Sequence, residues 1–413
     1  MGRKAVARNF LTRRFGAPQE VEPIPDYNVL IDRCLGAIRS VCVDETRTYG
    51  LHEPSFEGND WAYAKECLDT GWVSSAGKFV DRFERHLAEY TGSRRAIAVV
   101  NGTAALHVCL QIAGVESGDE VIVPSLTFVA TANAVSYCGG IPHFADVEER
   151  TLGIDPGKLR DSLLEVAKVE NKRCRNRITG RWIRAAVPMH TFGHPVDLDP
   201  LVEVCREFGI PLVEDAAEAL GSLYKGRHVG NHGILSALSF NGNNIITTGG
   251  GGAVLTNDVA LADRTKHLTT TAKRPHRWDF FHDQIGYNYR MPNINAAIGC
   301  AQLEQLDGFL ARKRIIAERY RKAFDAIPGV RWFREPVFAR SNYWLNAILL
   351  EDSRAFLRDA LLSATHDARI LTRPAWIPLH KLPMYQACPK MDLSVTLDME
   401  RRLVNLPSSS SLS

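Results

Sequence analysis

The first segment that could bind a ligand is Asn101-Gly102-Thr103-Ala104-Ala105, which follows an apolar run and opens a helical pattern. The first N–H groups of a helix have no intrahelical acceptor, and the helix dipole adds partial positive charge there. Such a junction suits a phosphate group. The simpler alternative is that Thr103 only caps the helix. The sequence therefore indicates either an anion site or a plain helix cap at this point.

A second group of segments could hold an aromatic ring. Glu214 and Asp215 end an apolar run, and Glu218 follows three residues later. Ligands of open α/β sheets bind outside the carboxyl ends of the strands. An aspartate at that edge could hold a protonated pyridine nitrogen and help the ring act as an electron sink, or it could be a helix N-cap. Phe128 also follows an apolar run and could either pack in the core or stack on such a ring.

Alternating patterns predict the elements that must position these groups. From Trp61 to about Asn257 short apolar runs alternate with helical patterns. Several runs are apolar throughout, as are strands buried on both faces of a parallel sheet. The alternation predicts an α/β three-layer domain. The expected strands lie at residues 96–100, 120–124, 141–146, 185–190, 211–214, 237–240 and 252–256.

The chain is predicted to divide into three parts. These are an N-terminal arm with a short helix, a large domain, and a smaller C-terminal α+β domain, at residues 1–60, 61–295 and 296–413. The helix of the arm is expected over residues 29–43. The polar and basic residues 166–182 predict a surface insertion, with a hairpin around Thr179 and Gly180. A long amphipathic helix is predicted over residues 294–326.

Composition excludes several classes of protein. The chain has 413 residues, 45% of them hydrophobic and 23% charged, which is ordinary for a globular protein. A net charge of +3 is too small to argue for nucleic-acid or membrane partners, and neither is expected. The basic head between Arg3 and Arg14 lacks the apolar segment of a signal peptide, so it predicts a solvated arm. Nine cysteines without CxxC spacing favour reduced thiols in the cytoplasm over disulfides or a metal site.

Four segments occur in an order that resembles a known family. Gly-Thr-Ala, Ser-Leu-Thr-Phe, Glu-Asp-Ala-Ala-Glu and Ser-Phe-Asn-Gly-Asn follow one another, as in the DegT/StrS family of nucleotide-sugar aminotransferases. The resemblance runs from about residue 51 to residue 407, and it also includes GWVSSAGKFVDRFE, MHTFGHP, GYNYRMP and RPAWIP. It implies an aspartate-aminotransferase-like fold, that of type I enzymes of pyridoxal 5′-phosphate (PLP). That fold has a mostly parallel seven-stranded sheet in a three-layer large domain, and a smaller α+β domain.

The most informative departure from that family is Asn244. The family places a lysine five residues after the serine, here Ser239, and this lysine carries PLP as a Schiff base. A carboxamide nitrogen is not a nucleophile, because its lone pair is delocalised into the carbonyl, so the covalent catalyst is missing. Losing a positioned acid–base group alone typically costs about 10²–10⁴-fold in rate. The resemblance thus implies PLP or its amine form (PMP) bound without a covalent link to the protein, or as a sugar adduct.

Three explanations of Asn244 stay open. It could be a deliberate substitution that traps a cofactor–sugar adduct, a natural change that gives different chemistry, or the mark of a cofactor-binding but inert homologue. Within the family the chain looks closest to the branch that aminates C4 of UDP-linked 4-keto-6-deoxy-N-acetylhexosamines, on routes to bacillosamine- and legionaminate-type sugars. One rival function is PLP/PMP-dependent dehydration of a 4-keto sugar. The other is a non-catalytic PLP-binding regulatory or structural dimer.

The resemblance also implies roles for particular residues. Asp215 would pair with the pyridine nitrogen, Phe128 would stack on the ring, and Glu218 would lie beside the ring hydroxyl. The residues implied at the cofactor phosphate are Thr103, Ala104, Ser239 and, from the other subunit, Asn288. The residues implied near the sugar are Ser74, Lys78 and His190. The expected partners are a UDP-linked amino or keto sugar, glutamate as the amino donor, and a second copy of the chain in a homodimer with composite active sites.

Overall fold

The structure, a computed structural model, describes residues 27–412. The predicted basic head lies outside these residues. The helices within them are α1 (Tyr27–Arg39), α2 (Asp60–Thr70), α3 (Lys78–Thr91), α4 (Gly102–Ile112), α5 (Val129–Tyr137), α6 (Pro156–Val166), α7 (Leu198–Phe208), α8 (Val259–Thr269), α9 (Asn293–Phe324), α10 (Arg358–Asp367) and α11 (Ser394–Arg402). Short 3₁₀ helices lie at Thr191–Gly193, Asp352–Leu357, Leu379–Lys381, Pro383–Tyr385 and Ser410–Leu412.

The strands of residues 27–412 form one large and two smaller sheets. They are β1 (Arg95–Val99), β2 (Glu120–Pro124), β3 (Ile141–Ala145), β4 (Ala167–Glu170), β5 (Arg173–Asn176), β6 (Trp182–Ala186), β7 (Val213–Asp215), β8 (Leu223–Tyr224), β9 (Arg227–His228), β10 (Leu235–Ser239), β11 (Gly252–Thr256), β12 (Val330–Trp332), β13 (Ala339–Arg340), β14 (Asn346–Leu350), β15 (Arg373–Pro374) and β16 (Leu403–Leu406).

Seven of these strands build the central sheet. Their spatial order is β1, β11, β10, β7, β6, β2 and β3. Strands β7 and β6 join through parallel bridges, from Ala186 to Leu212 and from Met189 to Asp215. Among the seven, only β11 runs antiparallel to its neighbours. The prediction of a mostly parallel seven-stranded sheet in a PLP fold of type I is confirmed.

Helices cover both faces of the central sheet. Alternate residues of β1 show why: Ala96 and Ala98 belong to a core that includes α3 and α7, whereas Ile97 and Val99 belong to a core with α4, α5 and α8. Side chains of a strand point alternately to opposite faces, so a strand apolar at every position needs an apolar layer on each side. This gives the predicted three layers.

The strand predictions fail mainly at β6. Residues 185–190 were the expected strand, but β6 ends at Ala186. Val187 still donates its N–H to the Ile122 carbonyl, and the next residue is Pro188, which has no N–H to donate. The chain therefore leaves the sheet there and crosses toward the carboxyl edge, where Met189 and His190 lie.

The predicted surface insertion is a small meander. Strands β4 and β5 pair antiparallel through a turn at Asn171 and Lys172, both with positive φ. The hairpin expected around Thr179 and Gly180 is the next turn, which connects β5 to β6. Gly180 has a φ of +73° there, in the left-handed region that glycine adopts without strain.

Helix α9 joins the two main parts of the molecule. Its first half packs in the core of the central sheet, and its second half packs under the antiparallel sheet β12–β14–β16–β15. The expected boundary between residues 295 and 296 falls in the first turn of this continuous helix. Helix α1 packs in the C-terminal core as well, so it is not a separate arm.

Two further properties concern residues 27–412 as a whole. None of the helices described in this range is long and apolar enough to span a membrane. All nine cysteines are free thiols, and eight of them are buried.

Candidate active site at the carboxyl edge of the sheet

Several of the predicted site residues lie at or directly after strand ends at one edge of the central sheet. Val99 at the end of β1 is paired with Gly252, and Gly252 is paired in turn with Ser239 at the end of β10. Asp215 ends β7 opposite Ala237 of β10. Because these strand ends are in register, the segments that follow β1, β7 and β10 converge at this edge. This is where open α/β sheets bind ligands.

The start of α4 forms an anion-sized opening. Asn101 caps the helix, since its side-chain oxygen accepts from the Ala104 N–H at 2.7 Å. The Ala104 N–H is therefore occupied here, contrary to the expected phosphate contact, and the N–H groups of Gly102 and Thr103 are left for a ligand. A β-carbon on Gly102 would lie 2.7 Å from the Cβ of Ser239, so glycine lets the Ser239 hydroxyl approach the helix end.

Asp215 is buried and held in a fixed position. Its Oδ2 accepts from the Thr131 hydroxyl at 2.7 Å, and its Oδ1 accepts from the Ala217 N–H at 3.2 Å. Burial raises the pKa of Asp215, although these two hydrogen bonds oppose the rise. A buried carboxylate of this kind is stabilised most by a cationic partner, such as a protonated pyridine nitrogen.

Glu218 lies close enough to Asp215 to feel its charge. It is buried, and its Oε2 accepts from the Phe192 N–H at 2.8 Å. Burial, and then the negative charge of Asp215, raise the pKa of Glu218 well above its ordinary value. A carboxyl group in this environment favours the protonated form, which can donate a hydrogen bond to a ring oxygen.

Phe128 is not a core residue. It lies just before α5 and is 50% exposed, so it does not pack in the core, which was one of its two sequence interpretations. Its ring centroid is 6.5 Å from that of Trp376, which packs at 4.9 Å against Phe192. Trp376 and Phe192 therefore support the Phe128 ring, whose exposed face could stack on a flat ring.

Asn244 is almost enclosed at 7% exposure. Its N–H donates to the Asn241 carbonyl at 3.0 Å, which closes a tight turn after β10. Within residues 27–412 its carboxamide makes no hydrogen bond. The amide group is therefore available to a ligand, yet it can form no covalent link to one.

His190 differs from its expected role near a sugar. It is fully buried, and its Nε2 lies 3.1 Å from Glu214 while its Nδ1 accepts from the Val196 N–H at 3.2 Å. Both ring nitrogens are thus engaged inside the protein. Its backbone N–H donates to the Asp215 carbonyl at 3.1 Å, so this histidine supports the site from behind.

Ser74 lies on an exposed loop before α3, and Lys78 is the first residue of that helix. The Ser74 carbonyl accepts from the Asn293 N–H at 2.7 Å, which ties the loop to the start of α9. The Lys78 ammonium is exposed and pairs with Glu66. A contact of these residues with a sugar stays a prediction.

Asn288 is exposed on the segment that follows α8. Its neighbours are anchored: the Tyr289 carbonyl accepts from the Val100 N–H at 2.9 Å, and Arg290 forms a bridge with Val99. The side chain therefore stands on a rigid base beside the strand that leads into α4. A contact across a subunit interface is compatible with this placement.

Three residues of the site had no role assigned from sequence. Thr131 reaches Asp215, Trp376 supports Phe128, and Trp344 donates from its indole N–H to the Asn243 carbonyl at 2.6 Å. Trp376 lies within the quoted RPAWIP motif, which was a usable signal. Thr131 follows Thr127 by one helical turn, and the two hydroxyls are 3.0 Å apart. Trp344 had no such signal.

The arrangement fits PLP on structural grounds. A helix end kept open by glycine suits the phosphate, a buried carboxylate suits the pyridine nitrogen, and an exposed phenyl ring suits the ring face. Ser239, Asp215 and Phe128 would hold these three parts.

Comparison with known proteins agrees with this interpretation. The profile described as the DegT/DnrJ/EryC1/StrS aminotransferase family matches residues 54–413. The chain is 41% identical to a GDP-perosamine synthase of Escherichia coli O157:H7, over 88% of this chain and 94% of that protein. It is 38% identical to the GDP-perosamine synthase of Vibrio cholerae, over 87% and 93%.

A solved structure gives the same answer. The aminotransferase TlmJ from Streptoalloteichus hindustanus superposes with a TM-score of 0.79 at 30% identity, over 89% of this chain and 95% of that one. The cofactor is accordingly PLP or PMP, and the parent reaction is amino transfer to a sugar. The chain belongs to the DegT/DnrJ/EryC1/StrS aminotransferase family.

Proposed function

We propose that this chain binds PLP or PMP together with a nucleotide-linked 4-keto sugar, and that it transfers the amino group very slowly or not at all. One observation carries the proposal. Asn244, a nearly enclosed carboxamide at the position of the family's lysine, lies five residues after Ser239 at the end of β10, the strand that pairs with β7 and its terminal Asp215. The family and its relatives supply the class of reaction. Turnover is expected to fail because position 244 has no amine.

The nucleotide is the least constrained part of the substrate. The sequence resemblance favoured a UDP-linked 4-keto-6-deoxy-N-acetylhexosamine aminated at C4. The relatives from Escherichia coli and Vibrio cholerae are named GDP-perosamine synthases, which favours a GDP-linked sugar. We therefore put a GDP-linked 4-keto sugar first, with the UDP-linked compound as the comparison and glutamate as the amino donor.

Each side chain around the cofactor has its own task. The bound cofactor supplies an electron sink for chemistry at the carbon attached to its nitrogen. Asp215 would keep a proton on the pyridine nitrogen, because the resulting positive charge offsets the burial of the carboxylate. Glu218 would stay protonated and donate to the ring oxygen. Asn244 can only donate or accept hydrogen bonds, since an amide does not titrate near neutral pH.

The loss of lysine affects two steps differently. Binding depends on the phosphate, ring and nitrogen contacts, none of which needs an amine at position 244. Turnover needs a group that moves protons beside the cofactor and attacks to release the product, and Asn244 can do neither. Cofactor binding should therefore persist while the rate of amino transfer falls.

A homodimer with composite sites completes the proposal. The segment that leads to Asn288 exposes several large apolar side chains, which a monomer rarely leaves in water. They are Trp278, Phe280, Phe281 and Ile285. A second copy that covers this surface would also bring Asn288 to the partner's phosphate site, as the family resemblance implies.

Restoring the lysine tests the function. Asn244→Lys loaded with PLP should aminate a GDP- or UDP-linked 4-keto sugar with glutamate, whereas the unmodified chain should not. Asn243→Lys, one residue away and exposed, is the matched control and should stay inactive. The mass of the product separates amination from dehydration. If Asn244→Lys binds PLP and still turns over no sugar of the panel, the site is a non-catalytic binder.

A further inference from the structure

The C-terminal part of the chain reaches the segment that carries Asn244. Trp344, just before β14, is buried, and its indole N–H donates to the carbonyl oxygen of Asn243 at 2.6 Å. The turn on the other side of that carbonyl is closed by the Asn244 N–H and the Asn241 carbonyl. The main chain at residue 244 is therefore fixed from both sides, once locally and once from a distant sheet.

The backbone of Trp344 is itself held by a buried lysine. Lys313 of α9 is 1% exposed, and its Nζ donates to the Trp344 carbonyl at 3.1 Å and to the Ser408 carbonyl. Lys313 forms no ion pair with any carboxylate of residues 27–412. Two carbonyl oxygens thus satisfy a side chain that is costly to bury, and this makes the position of Trp344 precise.

The same loop also holds the opposite side of the site. Asn342 donates from its Nδ2 to the carbonyls of Glu218 and Leu220, at 2.9 and 3.0 Å, while its Oδ1 accepts from the Trp344 N–H at 2.7 Å. Asn342 is so close to Gly193 that a β-carbon there would lie 1.8 Å from its Oδ1. One short segment, Asn342 to Trp344, therefore connects to the main chains of both Glu218 and Asn243.

We infer that Trp344 is a positioning residue: its indole N–H sets the place of residue 244 relative to the cofactor-facing groups, so the C-terminal sheet takes part in shaping the site. In this chain no covalent link to a cofactor can hold the segment around residue 244. The hydrogen bond from Trp344 therefore acts beside those of Gln302 with the Thr247 N–H and of Asn295 with the Thr248 carbonyl, and of the three it lies nearest in sequence to residue 244. Its catalytic readout rests on the proposed function, while its structural readout does not.

Hydrogen–deuterium exchange on the unmodified chain gives the structural readout. Trp344→Phe keeps an aromatic ring and removes the N–H, and Trp332→Phe is the matched control. Trp332 is also buried, lies in β12 of the C-terminal sheet, and has an indole N–H without a partner among the described residues. Amides of residues 240–248 should exchange at least about threefold faster in Trp344→Phe and at the native rate in Trp332→Phe. Equal exchange in both variants would overturn the inference.

The Asn244→Lys background gives the catalytic readout. Adding Trp344→Phe should lower kcat about tenfold and leave the KM for the sugar within about twofold, because a misplaced group slows chemistry more than it weakens remote binding. The pH midpoint of the cofactor's visible absorbance should also move, since it reports the surroundings of Lys at position 244. Unchanged kcat and midpoint would contradict the inference. Absence of turnover in Asn244→Lys itself would refute the proposed function, and the exchange result would still decide the role of Trp344.

Discussion

The carboxylate of Glu84 lies 2.7 Å from the guanidinium of Arg290, and both groups are almost enclosed. This pair joins two of the motifs quoted from the sequence, GWVSSAGKFVDRFE and GYNYRMP. The same Glu84 oxygen accepts from the Ala98 N–H at 2.9 Å, and Arg290 donates to the Ala98 carbonyl at 2.8 Å. The segment that carries Asn288 is therefore fastened to β1 at Ala98, three residues before Asn101, where the predicted phosphate site starts.

Glu84→Gln should destabilise the fold and loosen this segment. Removing one partner of an enclosed ion pair leaves a buried charge uncompensated, which costs about 3–5 kcal/mol of unfolding free energy. Urea unfolding followed by fluorescence checks the size of the loss. Glu89→Gln, an exposed glutamate of the same helix, is the control and should change stability by less than about 0.5 kcal/mol. Equal behaviour of the two variants would show that the ion pair is dispensable.

Glu214 predicts a pH dependence of stability. Burial alone would raise its pKa, but the hydrogen bonds from His190 and from the Gly233 N–H outweigh burial and lower the pKa to about 2. A carboxyl whose folded pKa is depressed stabilises the protein above its unfolded pKa of about 4.5, and this contribution is lost as pH falls toward 2. At pH 7 it is on the order of 3 kcal/mol.

Glu214→Gln should therefore be far less stable than the unmodified chain at pH 7, with a difference that narrows between about pH 4.5 and pH 3. Denaturant unfolding at a series of pH values measures this. Glu351→Gln, at an exposed position, should run parallel to the unmodified chain. A stability difference for Glu214→Gln that is constant across this pH range would mean that the carboxylate charge is not what matters.

Phe128→Ala should separate binding from folding. Because this ring is half exposed, its removal should change the unfolding free energy by less than about 0.5 kcal/mol. Removing the ring also removes a stacking interaction worth about 1 kcal/mol, which should weaken PLP binding several-fold. Titration with PLP, followed by absorbance, gives the affinity. Phe56→Ala, another exposed phenyl on a different segment, should bind PLP normally, and unchanged affinity in Phe128→Ala would remove this residue from the site.

Phe280→Asp should disrupt the proposed homodimer. Phe280 is 79% exposed in the segment before Asn288, so a charge there costs little in the monomer and much in an apolar interface. Sedimentation velocity should give a dimer for the unmodified chain and a monomer for the variant. Val337→Asp places the same charge on another exposed apolar residue and should stay dimeric. If the unmodified chain sediments as a monomer and still binds one PLP per chain, the proposal of a composite site is contradicted.

The order of the segments predicted which strand ends meet at one edge of the sheet, for a physical reason. Carboxyl ends of parallel strands lie at the same edge, so Asp215 and Ser239 had to come together once β7 and β10 were recognised as strands. Their pairing in one sheet bears this out. Asn244 could be assigned to the family's lysine position from its spacing to Ser239 in the sequence alone.

What sequence could not supply were contacts that depend on packing between distant segments. His190 has the residue type of a ligand-binding group, but its burial follows from Glu214 lying beside it, which no local pattern shows. Trp344 and Asn243 are 101 residues apart, and neither carries a motif that points to the other. The predicted domain boundary between residues 295 and 296 falls within α9, one continuous helix whose two halves pack in different cores, and that packing is not visible in a local pattern.

The most direct test of the account is borohydride reduction of the PLP-loaded chain, followed by intact mass and peptide mapping. The unmodified chain should bind PLP, shown by its absorbance before reduction, and should gain no covalent cofactor. Asn244→Lys treated in the same way should gain one reduced cofactor per chain, on residue 244. A stable adduct on the unmodified chain would mean that another amine serves the cofactor, and it would contradict the claim that Asn244 leaves this site able to bind PLP but not to hold it covalently.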